Sequence, residues 1–219
     1  MRKTIIIGFG QIAGLNRLDY KTRKTYRFSS HIQAIKKSKK FQLVGIIDKS
    51  KQSLKIAKNQ FGIKNTFSSI REAKKKIGSF DVAIISTPPV DRLLTITSLE
   101  NIKGIILEKP ISIQLNESNK IKDFCNKNKI FCEINYWRRF VPNCNLKKLK
   151  KMIGNLQIVK INYCGGLKNN GVHLIDFVRF LYGEIAPLNF FKNSSIKKGE
   201  TLKNDYNINF FSYVKKNIP

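Results

Sequence analysis

The sequence is poor in acidic residues, in histidine and in long apolar runs. It has 14 Asp and Glu residues against 42 Lys and Arg residues, and its only histidines are His31 and His173. Its four cysteines show no Cys-x-x-Cys spacing, so the sequence predicts no metal site. No apolar run approaches membrane-spanning length, and the run at 5–7 is too short for a signal-peptide core. We therefore expect a reduced cytoplasmic protein with free thiols and no membrane partner.

The composition that remains is that of a globular protein. Hydrophobic residues make up 42% of the chain and charged residues 26%, which excludes a disordered polar chain or a low-complexity fibre. The formal net charge of +28 comes mostly from lysines scattered along the chain together with abundant Asn and Ile, a pattern that codon bias explains. A nucleic-acid-binding protein concentrates its basic residues on one face or tail, so we expect no specific nucleic-acid partner.

Short apolar runs alternate with longer segments of helical period up to residue 136, which predicts a parallel sheet covered by helices. The predicted strands cover residues 4–7, 42–47, 64–67, 81–86, 104–107 and 130–136. The predicted helices cover residues 53–61, 69–77, 90–99 and 115–128. Residues 16–30 fit neither period and hold five basic residues, which indicates an inserted loop. That loop either is ordinary solvated surface or lies near a phosphate.

After Trp137 the pattern changes to a smaller mixed unit. We predict helices over 142–152 and 172–182, and strands over 157–163 and 208–214. The predicted fold class is therefore α/β, with an N-terminal Rossmann doubly wound parallel sheet over 1–136 and a smaller, incomplete α+β domain over 137–219. The last strand would expose apolar side chains at an unpaired edge, so we expect a homo-oligomer.

The first predicted strand runs directly into a glycine-rich turn. Residues 8–13, Gly-Phe-Gly-Gln-Ile-Ala, satisfy G-x-G-x-x-[GA] between a strand and a predicted helix. Gly8 permits the tight turn, Gly10 lets the backbone approach a pyrophosphate, and Ala13 lets the helix pack closely. The motif predicts a dinucleotide site, and the alternative is an ordinary glycine turn. The residues predicted to contact the cofactor here are Gly8, Phe9, Gly10, Gln11 and Ile12.

Asp48 closes the second predicted strand, where a carboxylate accepts hydrogen bonds from the adenosine ribose and repels a 2′-phosphate. We therefore predict NAD as the cofactor, with NADP as the second candidate because Lys49 and Lys51 can offset that repulsion. The 38 residues between Gly10 and Asp48 (48 − 10) exceed the usual spacing of ~20, and the inserted loop accounts for the excess. Alternatively, Asp48 merely starts a turn.

The segment Leu107-Glu108-Lys109-Pro110, after Ser86-Thr87-Pro88-Pro89, resembles the Gfo/Idh/MocA oxidoreductase family. The resemblance extends from the first strand to about Gly183. It implies a Rossmann domain followed by an α/β domain whose open sheet often forms the oligomer interface. It also implies an NAD(P)-dependent dehydrogenase of sugars, sugar nucleotides or cyclitols. The further cofactor contacts that it implies are Ser86, Thr87, Pro88, Glu108 and Lys109.

Two residues are the predicted catalytic pair. Lys109 follows a buried strand at the edge where doubly wound sheets bind ligands, and its ammonium can polarise a substrate hydroxyl. In enzymes similar to this one the Lys-Pro bond is often cis. The resemblance implies that His173 is the general base, although a solitary histidine near an apolar helix face is otherwise structural. His31 is interpreted as structural or capping.

The predicted substrate contacts surround His173. Many relatives carry Asp four residues before the catalytic histidine, whereas this chain has Asn169, as in a subgroup with sugar modification functions. The segment from Tyr136 to Phe140 resembles the family's substrate-facing Tyr-x-x-Arg-Phe, and its alternative role is hinge packing. Asp176 either contacts substrate or is a buried hydrogen-bond acceptor in its helix. The predicted substrate-binding residues are Tyr136, Arg138, Asn169, Asn170, His173 and Asp176.

These residues together predict an NAD(P)-dependent oxidoreductase that acts on a CH–OH group. Hydride would move between nicotinamide and a carbon of a small carbohydrate, namely a sugar, sugar nucleotide or cyclitol. Similar proteins are commonly longer, so the C-terminal domain is expected to be minimal or truncated. The alternative function is a catalytically degenerate nucleotide-binding or scaffolding protein, and a basic nucleic-acid binder ranks last.

Overall fold

The computed structural model describes residues 1–18, 20, 24, 28–140, 148, 151–152, 158–192 and 205–214. The chain divides into two compact units, Met1–Asn135 and Tyr136–Pro219, one residue before the boundary predicted from the sequence. In the described part of the chain, each unit contains one sheet.

The first unit is built on a parallel sheet whose described strands number six. They are β1 (Arg2–Ile7), β2 (Phe41–Ile47), β3 (Thr66–Phe67), β4 (Val82–Ile85), β5 (Gly104–Leu107) and β6 (Phe131–Ile134). Their order is β3-β2-β1-β4-β5-β6, and every neighbouring pair is parallel. This is the order of a doubly wound Rossmann sheet, in which the direction of winding reverses between β1 and β4. The predicted fold class is confirmed.

The central strands are apolar on successive residues because both faces of the sheet are covered. All four residues of β4 are buried. On one face Ile5 and Ile85 belong to a core that includes Leu107 of β5, and on the other Ile6 and Ile84 belong to a second core. Burial on both faces fixes the register of the strands and therefore the positions of the loops at their carboxyl ends.

Five described α-helices flank this sheet. They are α1 (His31–Lys37), α2 (Lys51–Phe61), α3 (Ile70–Ile77), α4 (Arg92–Thr97) and α5 (Leu115–Lys127). The side chains of Ser30, Ser50 and Ser69 accept hydrogen bonds from main-chain amides at the starts of α1, α2 and α3. The four helices predicted for this unit are present, and α1 is an additional helix that begins where the basic loop ends.

The second unit contains a helix and, among its described residues, a two-stranded sheet. A π-helical turn at Leu167–Gly171 leads into α6 (Val172–Tyr182), which has the predicted bounds. The strands β7 (Ile185–Lys192) and β8 (Ile208–Val214) pair antiparallel. The helix predicted over 142–152 lies outside the described residues except at 148, 151 and 152.

The strand predicted over 157–163 is wrong for the described residues 158–163, which are irregular. The apolar side chains that suggested a sheet face are exposed instead, to 86% at Ile158 and 43% at Val159. A side chain rather than a main-chain ladder links this segment to β8. The hydroxyl of Tyr163 donates to the carbonyl of Ile208 and accepts from its amide, each at 2.8 Å.

The predicted cytoplasmic location and the expected homo-oligomer stay predictions. Within the described residues, no helix combines the length and the apolar character needed to cross a membrane. No group of three or more His, Cys, Asp or Glu side chains among those same residues could hold a metal ion. Phe211 and Tyr213 of β8 are exposed to 69% and 50%, and the expected homo-oligomer is untested.

Candidate functional site

The turn after β1 has the geometry that a dinucleotide requires. Gly8 has φ +90°, and a Cβ there would lie 2.8 Å from the main-chain nitrogen of Thr87, so only glycine fits against the end of β4. The Gly8 amide donates to the carbonyl of Ile47 at 2.8 Å, which ties the turn to β2. A Cβ at Gly10 would have no atom within 4 Å, so the backbone there faces open space. A pyrophosphate fits this position.

The helix expected directly after the glycine turn is interrupted. The Gly10 carbonyl accepts from the amides of Gly14 and Leu15 at 3.2 and 3.3 Å, and a short 3-10 helix follows at Leu15–Leu18. The carbonyls of Ile12 and Ala13 then accept from the amides of His31 and Ile32, at 3.0 and 3.1 Å, instead of from residues 16 and 17. The basic segment is therefore inserted into this helix, and α1 continues it.

Asp48 links the glycine turn to the start of α2. Its Oδ2 accepts from the amide of Phe9 at 2.6 Å, and its Oδ1 accepts from the amide of Ser50 at 2.7 Å. Each carboxylate oxygen has a second lone pair. The predicted hydrogen bond to an adenosine ribose is compatible with this arrangement and stays a prediction.

Two hydroxyl groups lie at the end of β4, next to the glycine turn. The Ser86 and Thr87 hydroxyl oxygens are buried and have no hydrogen-bond partner in the described part of the chain. A buried polar group without a partner costs roughly 1–3 kcal/mol, so a polar ligand here would satisfy them. Together with the space at Gly10, they show that the residues present fit a bound dinucleotide.

The turn after β5 carries Lys109, whose bond to Pro110 is cis. Buried Arg92 of α4 holds the main chain of this turn by donating to the carbonyls of Glu108, Pro110 and Ile111. It also donates to the carbonyl of Thr87 at the end of β4. Burial lowers the pKa of Arg92 to about 10, so the guanidinium stays charged at neutral pH. Arg92 was not among the predicted site residues, because its partners are main-chain carbonyls, which carry no side-chain signal in the sequence.

The Glu108 side chain is buried and held by two other segments. His31 Nε2 lies 2.8 Å from Glu108 Oε1, and the side-chain amide of Asn135 donates to the same oxygen at 2.5 Å. Burial raises the pKa of Glu108. The hydrogen bonds from His31 and Asn135 and the electrostatic effect of Lys109 lower it by more, so that the pKa lies below its ordinary value of 4.5. The carboxylate is therefore ionised at neutral pH.

His31 was interpreted as structural or as a helix cap, and the side chain that caps α1 is that of Ser30.

In the second unit, His173 is the second residue of α6 and is buried. Its ring meets the ring of Tyr136 edge to face, with centroids 5.9 Å apart. Burial and the charge of Asp176 raise the pKa of Tyr136, against the opposing effects of Arg139 and Arg179. The Tyr136 hydroxyl is therefore protonated at neutral pH and can donate a hydrogen bond.

Two arginines follow Tyr136, and they have different surroundings. Arg139 donates to both carboxylate oxygens of Asp176, with its Nε 2.8 Å from Oδ2. Arg138 lies over the ring of Trp137 at 5.2 Å, and its NH1 is buried with no hydrogen-bond partner among the described residues. Asp176 thus has a partner within its own unit, and its predicted contact with substrate stays a prediction.

Asp205 is a buried carboxylate that the predictions did not include. Its Oδ1 accepts from the amide of Lys168 at 2.8 Å and its Oδ2 from the amide of Asn169 at 2.7 Å. A Cβ at Gly166 would overlap this carboxylate, so glycine is required there. The side-chain amide of Asn170 donates to the carbonyl of Cys164 at 2.9 Å. Asp205 is 36 residues from Asn169, and no local pattern signals such a contact.

The predicted site residues are thus found in two groups. The predicted cofactor contacts lie in the first unit, in the turns after strands β1, β2, β4 and β5. The predicted substrate contacts and His173 lie in the second unit.

Known protein families provide the decisive comparison. The model of the Gfo/Idh/MocA family, described as an oxidoreductase family with an NAD-binding Rossmann fold, matches residues 2–136. The chain belongs to this family. The predicted family is therefore confirmed, and the predicted cofactor, NAD, is the one that the family description names.

Individual relatives are more distant. The chain is 29% identical over 182 residues to the rhizopine catabolism protein MocA of Rhizobium meliloti, covering 73% of this chain and 55% of that protein. It is 24% identical over 208 residues to the glucose-6-phosphate 3-dehydrogenase of Bacillus subtilis strain 168, covering 83% of this chain and 54% of that one. The chain therefore spans about half the length of these relatives.

A solved structure shows the same fold. The WlbA dehydrogenase of Bordetella pertussis, in complex with NADH and UDP-GlcNAcA, superposes with a TM-score of 0.67 at 17% identity. The match covers 90% of this chain and 63% of that one. At this identity the likeness concerns the fold alone.

Proposed function

We propose that the chain is an NAD(P)-dependent dehydrogenase that oxidises a secondary alcohol of a sugar, sugar nucleotide or cyclitol. The observation that carries this proposal is the set of turns after β1, β4 and β5 in a member of an oxidoreductase family. These turns bring together the glycine motif, two buried hydroxyls without described partners, and Lys109. The names of the relatives, which include a glucose-6-phosphate 3-dehydrogenase, support a sugar-like substrate.

The first unit supplies the residues that would hold the cofactor. The turn would hold the pyrophosphate in the open space at Gly10. Asp48 would accept from the ribose, and Ser86 and Thr87 would hydrogen-bond the bound dinucleotide. NAD supplies a hydride acceptor when it is bound. Because Asp48 disfavours a 2′-phosphate, NAD is the preferred form, and NADP is the second candidate.

The two predicted catalytic residues divide the handling of the hydroxyl proton. The ammonium of Lys109 polarises the substrate hydroxyl, and His173 accepts its proton as the carbinol becomes a carbonyl. Arg92 supports the first role by fixing the main chain on both sides of Lys109. Burial of His173 supports the second, since a buried imidazole keeps one orientation against Tyr136.

The remaining polar residues of the second unit are the proposed substrate contacts. Tyr136 can donate its hydroxyl. Asn169 and Asn170 lie in the segment whose amides donate to the buried Asp205 carboxylate. Arg138 is the candidate for an anionic group of the substrate, because Arg139 is already paired with Asp176. An arginine suits a sugar phosphate or a nucleotide sugar.

The test is a turnover assay on the intact chain. NAD and NADP are offered with panels of sugar phosphates, nucleotide sugars and cyclitols, and the reduced nicotinamide is followed by absorbance. We expect reduction with at least one compound, faster with NAD than with NADP. NAD binding by calorimetry without reduction across all panels would overturn the proposal. That result would favour the alternative, a nucleotide-binding protein without turnover.

A further inference from the structure

His31 lies where the interrupted helix resumes. Its amide occupies the hydrogen bond to the Ile12 carbonyl that residue 16 would make in a continuous helix. The insertion therefore brings a histidine from beyond the basic segment onto the first turn after the glycine motif. The position of His31 is fixed by main-chain hydrogen bonds and by the Ser30 cap of α1.

From this position the His31 ring reaches the turn after β5. Its Nε2 lies 2.8 Å from Glu108 Oε1, and both side chains are only 11% exposed. Asn135, just after β6, donates to the same oxygen at 2.5 Å. The Glu108 carboxylate is thus bound by α1 on one side and by the residue after β6 on the other.

Arg92 holds the main chain of the same turn. It donates to the carbonyl of Glu108 before Lys109 and to the carbonyl of Pro110 after it. The basic groups around the Glu108 carboxylate are therefore His31 from α1, Arg92 from α4 and Lys109 from the turn itself. Of these, only Lys109 belongs to the proposed catalytic pair.

We infer that His31 is a positioning residue that acts on Lys109 through Glu108. By donating to Glu108 Oε1, His31 holds the carboxylate in place and offsets its pull on the neighbouring ammonium. Without this donor the buried carboxylate would keep Asn135 and draw the Lys109 ammonium toward itself, because a buried anion needs a partner. The ammonium would then be less available to a substrate hydroxyl. The role in turnover rests on the proposed function, but the effect on Lys109 does not.

The test measures the reactivity of Lys109 directly. The intact chain is labelled with acetic anhydride over a range of pH, and modification of Lys109 is followed by peptide mass spectrometry. In His31→Ala we expect labelling at mildly alkaline pH to be about threefold slower, with the profile moved to higher pH, because the ammonium is held by the carboxylate. In Glu108→Gln we expect the profile to move to lower pH.

Opposite shifts distinguish positioning from packing. A merely structural role would make Lys109 more accessible in both variants, so shifts in the same direction, or no shift, would overturn the inference. His31→Gln keeps an N–H donor near the position of Nε2 and should restore the profile. His31→Asn is too short and should behave like His31→Ala, which keeps the test valid if the alanine variant does not fold. Lys103, an exposed lysine just before β5, is the internal control in every digest.

Turnover provides a second, separate readout. If the wild type is active, His31→Ala should lower kcat by about tenfold while KM changes little, and His31→Gln should recover most of it. Turnover that is unchanged in His31→Ala, together with unchanged labelling, would reject the inference and leave the proposed function intact. An inactive wild type would reject the proposed function, and the labelling shifts would still decide the inference.

Discussion

The two units support their polar residues in different ways. In the first unit each residue of the candidate cofactor site follows a buried parallel strand, and neighbouring strands fix one another's register. In the second unit the segment before α6 is held by hydrogen bonds to residues 205–207, which come from far along the chain, and the Asp205 carboxylate accepts two of these bonds. The first site is therefore supported by several strands of the sheet, whereas the second depends on one short segment of the chain.

Removing the Lys109 ammonium should have the largest effect. The Lys109→Ala variant should lose turnover by a factor on the order of 10² or more, because the hydroxyl is no longer polarised. NAD affinity, measured by calorimetry, should stay nearly unchanged, since the turns after β1, β2 and β4 remain intact. The matched control is Lys103→Ala, which removes an exposed ammonium at the opposite end of β5. Equal turnover in the two variants would contradict the role of Lys109.

The variant Asp205→Asn tests how much of the support of the segment before α6 comes from the Asp205 carboxylate. Asn offers one acceptor oxygen where two amides now donate, so the free energy of unfolding of this unit should fall by about 1–3 kcal/mol. The sole tryptophan, Trp137, belongs to the second unit, so its fluorescence during urea unfolding reports on that unit.

The control for Asp205→Asn is the same substitution at Asp123, which is exposed on α5. It should leave the tryptophan transition in place. A transition that moves no further in Asp205→Asn than in Asp123→Asn would show that the hydrogen bonds to Tyr206 and Asn207 hold this segment without the carboxylate.

Substitutions at two glycines of the first unit distinguish an effect on cofactor binding from an effect on folding. Gly10→Ala should weaken NAD binding by about tenfold, or ~1.4 kcal/mol, because the new methyl group enters the space proposed for the pyrophosphate. Its free energy of unfolding should change by less than ~1 kcal/mol, since no protein atom lies in the way. Gly8→Ala should lose both NAD affinity and stability, because of its φ of +90° and the nearby Thr87 nitrogen. Unchanged NAD affinity in Gly10→Ala would contradict the proposed position of the pyrophosphate at this turn.

The smallest expected effect concerns acid sensitivity. The pKa of Glu108 is lower in the folded state than its ordinary value of 4.5, so the unfolded chain takes up the proton first. The stability from this group is complete above pH 4.5 and is lost as the pH falls through the folded pKa. Urea unfolding of Glu108→Gln, followed by circular dichroism, should show a shallower loss of stability in this range. The same slope in Glu108→Gln, in a Glu133→Gln control on β6 and in the wild type would contradict this assignment.

The sequence predicted those parts of the molecule that depend on local patterns. Apolar runs such as β4 signal buried strands, and the glycine motif at 8–13 signals a tight turn after β1, each within a few residues. His31 and Glu108 are 77 positions apart, and Asp205 is 36 positions from Asn169. No local sequence pattern predicts contacts between residues so far apart. The strand predicted over 157–163 was wrong because apolar residues there suggested a sheet face without showing whether a partner strand exists.

A crystal structure of the intact chain with bound NAD tests the central claim most directly. The account predicts the pyrophosphate against the Gly8–Gly10 turn, the adenosine ribose on Asp48, and the nicotinamide ring beside the ammonium of Lys109. A dinucleotide bound away from that turn, or with its nicotinamide ring out of reach of Lys109, would contradict the account.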